Sequence, residues 1–68
     1  MLTQTQITYF TEAFEKVVVA TVQGNNEYID KLRADMKAYY IGNVEMTEDN
    51  QNEVNKIYET AKGFWKRI

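Results

Sequence analysis

The chain has 68 residues, with ten Asp and Glu against eight Lys and Arg, a formal net charge of −2, and no histidine, cysteine or proline. That length holds one small domain, residues 1–68, whose ordering costs on the order of 100 kcal/mol at about 1.5 kcal/mol per residue, so a 44% hydrophobic content must repay nearly all of it. The missing residue types exclude disulfides, thiolate zinc sites and cysteine or histidine catalysis, and the acidic balance argues against a sequence-independent nucleic-acid binder.

The first segment carries Ile7, Phe10, Phe14 and Val17 at spacings of three, four and three, the rhythm of one helical face. Thr3 and Gln6 fit a capping box, which predicts a helix from Gln4 to Gln23 that frays before Gly24. The β-branched run of Val17, Val18, Val19, Thr21 and Val22, followed by Gly24, Asn25 and Asn26, also admits a hairpin. The uninterrupted helical phase, and the lack of alternation after the turn, favour the helix. Val18 and Val22 widen its apolar face, while Ala13 and Ala20 lower the polarity elsewhere.

In the second segment Ile29, Leu32, Met36 and Tyr39 repeat that spacing, and Asn25 or Asn26 is available as N-cap, predicting a helix from Asn26 to Ile41. Gly42 and Asn43 both tolerate the left-handed conformation of a C-cap, so Gly42 can close this helix and Gly42 to Met46 reads as a loop. Thr47 restarts the helix. The third segment, Glu48 to Arg67, is the most regular, with Val54, Ile57, Ala61, Phe64 and Ile68 on one stripe. Acids at its start and Lys62, Lys66 and Arg67 at its end complement the helix dipole. Gly63 interrupts it and reads as a place where a neighbouring helix or ring approaches closely.

These elements predict an all-α fold, a small three-helix bundle with antiparallel neighbours, or alternatively a helical hairpin that completes its core as an oligomer. No segment has the length and apolarity of a signal peptide or membrane span, which gives cytoplasmic location as the expectation. Glu48, Asp49 and Glu53 match no calcium loop, and the three scattered glycines form no phosphate-binding frame. No catalytic residue, cofactor or metal site is predicted, and the expectation is that the protein is not an enzyme.

The aromatic content, five Tyr, three Phe and one Trp, exceeds what three narrow stripes need. Tyr9, Tyr28, Tyr40, Tyr58 and Trp65 fall beside the stripes, and Val54, Tyr58, Ala61, Trp65 and Ile68 form a second stripe on the third helix. Tyr, Trp, Met and Arg are the types concentrated at interface centres. The sequence therefore points to a noncatalytic protein-binding module, a small adaptor or inhibitor that occupies the surface of a larger host or partner protein. Its contact residues are predicted to be Met36, Tyr40, Tyr58 and Trp65, with Lys62, Lys66 and Arg67 steering toward an acidic partner. Self-association into a homo-oligomer is the accompanying expectation. The alternative is an amphipathic helical protein that coats a lipid or hydrophobic granule surface, since the basic aromatic end from Lys62 to Ile68 also suits an anionic membrane.

Overall fold

A computed structural model describes residues 1–65, except for the side chains of Phe64 and Trp65. It consists of three helices, α1 (Gln4–Gln23), α2 (Asn26–Asn43) and α3 (Glu48–Trp65), with no strand among the described residues. The all-α bundle is thus the observed architecture. None of its described helices is long and apolar enough to cross a membrane.

Helix α1 starts where the capping box places it. The Gln6 N–H donates to Thr3 Oγ1 at 3.2 Å, and the Thr3 N–H donates to Gln6 Oε1 at 2.9 Å. At its other end the helix does not fray. Gly24 is left-handed at φ 70° and ψ 23°, its N–H donates to the Thr21 carbonyl at 3.2 Å, and the Asn25 N–H donates to the Ala20 carbonyl at 2.9 Å. This is the Schellman arrangement, which satisfies the last carbonyls and holds the valine run helical to Gln23.

Asn25 caps α2 by accepting the Tyr28 N–H at 3.2 Å. The end of α2 corrects the sequence reading: Gly42 and Asn43 belong to the helix, and among the described residues Gly24 alone has a positive φ. Val44 ends it instead, in an extended conformation, because its side chain turns into the core. The free carbonyls need no left-handed glycine there. Tyr39 O accepts from Asn43 Nδ2 at 3.1 Å, Tyr40 O accepts from the Val44 N–H at 3.0 Å, and Asn43 O accepts from Gln6 Nε2 at 2.8 Å. Thr47 then caps α3, its Oγ1 accepting the Asn50 N–H at 3.2 Å. The buried Asn50 folds back so that Nδ2 donates to the Glu45 carbonyl at 2.8 Å, while its Oδ1 is left without a partner.

Packing places α1 at the centre. It contacts both α2 and α3, whereas no described Cα of α2 lies within 8 Å of one in α3. The Gly24–Asn25 turn sends α2 back antiparallel to α1, and α3 then runs in the same sense as α1, with Leu2 meeting Glu53 and Phe14 meeting Tyr58. A helix covered on two sides needs two apolar faces, so Ala13 and Ala20, which the sequence reading set aside from the core, are buried beside Phe10 and Val17. Phe10, 1% exposed, is the largest fully buried side chain among the described residues. Leu2 and Val44, outside the helices, join Leu32 and Met36 around it. Gly63 corrects a smaller expectation: among the described residues an added Cβ there meets nothing within 4 Å, so none of them approaches closely enough to require a glycine.

Candidate functional site

No described Cα of α2 comes within 8 Å of one in α3, and an open cleft lies between the two helices above α1. Phe10 and Phe14 form the floor of an open cleft of about 920 Å³. On α2 its wall is Arg33, Met36, Lys37 and Tyr40, one helical face at spacings of three, one and three. On α3 the facing wall is Glu48, Gln51, Asn52 and Asn55, again one face, with Val54 closer to the floor. Met46 and Thr47 from the connecting loop close one end. Each wall is two turns long, about 10 Å at 1.5 Å per residue.

The floor is braced by aromatic contacts that leave it little freedom. Phe10 meets Tyr39 edge-on at 5.6 Å, Tyr40 at 6.2 Å and Tyr9 at 5.3 Å, and lies 6.3 Å from Phe14, whose ring is 5.2 Å from that of Tyr58. Each such pair adds roughly 0.5–1.5 kcal/mol to simple burial. Behind this cluster Tyr9 stacks on Tyr39 at 3.7 Å. Burial, then the Asp35 carboxylate and the Tyr39 phenol, raise the Tyr9 pKa above its ordinary value of 10.0.

The two lips differ in charge. Arg33 and Lys37 stand on α2, whereas α3 offers one carboxylate, Glu48, and the carboxamides of Gln51, Asn52 and Asn55. Two cations against one anion give a local charge of +1, in a chain whose formal total is −2. Outside the cleft lining, Lys62 Nζ sits 5.6 Å from the centre of the Tyr58 ring, within cation–π range. Among the described residues no group of three or more acidic side chains is gathered to hold a metal ion.

Of the predicted contact residues, Met36 and Tyr40 are brought together on the α2 wall. Met36 is buried, so it serves the core and shows only its edge to the cleft. Tyr58 lies past the α3 wall against Phe14, and Lys62 is exposed above it, so these two extend the cleft and do not line it. The Trp65 side chain, Lys66 and Arg67 lie outside the described residues. Phe10 is core, as its position in the stripe predicts, and Phe14 packs against that core while half-exposed to the cleft; Arg33, Lys37 and Met46 also line it and were not singled out from the sequence. The spacing of Arg33, Met36, Lys37 and Tyr40 was a readable signal, since it places cations beside the aromatic edge of the α2 stripe. No protein-family model matches the chain, and no curated protein or solved structure matches it either. The cleft's own geometry therefore carries the functional argument.

Proposed function

We propose that this protein is a noncatalytic protein-binding module that receives a helical segment of a larger partner protein in the cleft between α2 and α3. The observation that supports this most is the half-buried Phe14, set over the buried Phe10 at the base of a groove whose two helical walls have no Cα pair within 8 Å among the described residues. A helix laid between them makes the fourth member of a bundle and covers apolar surface that the chain leaves uncovered. Met46, 67% exposed at the cleft end, shows the gain available: covering a methionine side chain is worth about 1.5–3 kcal/mol, and several such anchors are needed to offset the cost of association.

The recessed position of the apolar residues also favours a protein ridge over a lipid surface. Arg33, Lys37, Gln51 and Asn52 stand at the lips, so a broad bilayer meets polar groups before it reaches Phe14. A photo-reactive residue placed at Met46 and, in a second variant, at Val19 on the exposed face of α1 tests the assignment in cells that express the protein. Adducts from position 46, lost when Asn55 is changed to Trp to fill the cleft, are expected. Adducts from position 19 alone would move the binding face elsewhere.

A further inference from the structure

We infer that the partner helix is acidic along one edge: it carries carboxylates on the flank that lies over α2 and uncharged polar residues on the flank that lies over α3. This rests on the cleft being a protein-docking groove, and goes further by fixing the chemistry of what docks. The cleft imposes it. Its walls are two turns long, so an occupant engages with anchors at i, i+3 or i+4, and i+7, which span about 10 Å of helix. Those anchors rest on Phe14, Val54 and Met46, and the flanks of the same helix must then lie against the lips.

On the α2 lip the flank meets Arg33 and Lys37, both exposed and one turn apart. Carboxylates four residues apart on the partner face both cations, whereas lysines there meet like charge, and the low-dielectric floor beneath strengthens either outcome. The α3 lip is different. Its three carboxamides present donors and acceptors to neutral polar side chains, and Glu48 at the closed end repels a carboxylate placed on that side. A helix with acids on both edges is therefore mismatched on one.

The probe is a pair of labelled peptides of about 20 residues with the same leucine and phenylalanine ridge, one with glutamates along a single flank and one with lysines there. They are titrated by fluorescence anisotropy into the full chain at low salt and at about 0.5 M salt. The glutamate peptide is expected to bind at least about tenfold tighter at low salt, with the gap closing at high salt. The Arg33→Glu and Lys37→Glu double variant, at two exposed positions, is expected to reverse the order. Circular dichroism establishes that the variant is folded, and the salt dependence of the wild type stands as a second readout if it is not. Equal affinity for the two peptides overturns the inference and leaves the docking groove standing. Binding of neither peptide overturns it as well, and the photo-adducts at position 46 then decide whether the groove reading falls with it. A dimer in light scattering that neither peptide dissociates overturns it by making a second copy of the chain the occupant.

Discussion

The Gln6 carboxamide bonds at both of its ends: Oε1 accepts the Thr3 N–H at 2.9 Å to complete the cap of α1, and Nε2 donates to the Asn43 carbonyl at 2.8 Å at the end of α2. A glutamate does the first task equally well and cannot do the second. Replacing Gln6 by Glu in an isolated α1 peptide is expected to leave helicity unchanged or raise it, because a carboxylate suits a helix N-terminus. In the whole protein the same change removes a donor and sets a negative charge against the carbonyl end of α2. Urea denaturation of Gln6→Glu is expected to show a loss of about 1 kcal/mol. Unchanged stability would mean that the bond to Asn43 contributes nothing to holding the two helix ends together.

Two glycines with opposite backbone demands give a paired prediction. Gly24 is left-handed and Gly42 is helical, and neither position crowds an added methyl group. Gly24→Ala therefore costs backbone strain alone, about 1 kcal/mol, while Gly42→Ala gains about 0.5 kcal/mol from better helix propensity. Thermal unfolding of the two variants should shift in opposite directions. A loss at Gly42 would restore the reading of that residue as the C-cap.

Raising the pKa of Tyr9 makes the fold resist ionisation of that phenol. Burial, then Asp35, then Tyr39 favour the neutral form, so the folded state holds the proton more tightly than the unfolded chain does. The corresponding stabilisation is fully present below about pH 10 and is lost as pH rises through the folded-state value. A phenolate absorbance titration is expected to show one tyrosine ionising later than in the unfolded chain, and to lose that late step in Tyr9→Phe. Asp35→Asn should bring the step earlier without abolishing it, because burial is the larger cause.

The caps and stripes were legible because each depends on residues within one or two turns. Thr3 with Gln6, Asn25, Thr47 and the buried spacing of Phe10 and Val17 are all local patterns, and the structure has them in place. What depends on the whole fold was not legible. Ala13 and Ala20 are small enough to face solvent or core, and only the central position of α1 between two helices decides for the core. Leu2, Val44 and Asn50 are buried at segment ends, where no periodicity announces it. The cleft was hidden for the same reason: a stripe that reads as core in every helix says nothing about two of the three keeping their backbones more than 8 Å apart. The aromatic surplus drew attention to Tyr40, Tyr58 and Trp65, whereas Arg33 and Lys37, which line the cleft beside Met36, carry no such signal.

The far wall of the cleft depends on the first turns of α3, and a carboxylate holds them to the start of the chain. The Leu2 N–H donates to Glu53 Oε2 at 2.6 Å across 51 residues, and the Leu2 side chain beside it is buried. A backbone donor to a partly buried carboxylate is worth about 1.5–3 kcal/mol, more than a bond between neutral groups. Glu53→Ala is expected to lower stability by about 2 kcal/mol, and Glu53→Gln by about half of that, because the amide oxygen still accepts. Hydrogen exchange locates the effect: faster exchange should be concentrated in residues 48–55 and the N-terminal segment, with the α1 to α2 turn unchanged. If loss of Glu53 speeds exchange uniformly, the bond acts on the fold as a whole. If it speeds exchange only in the α3 wall, the same carboxylate that closes the bundle also sets the width of the groove, and the glutamate-flanked peptide should bind the variant more weakly although Glu53 touches no part of it.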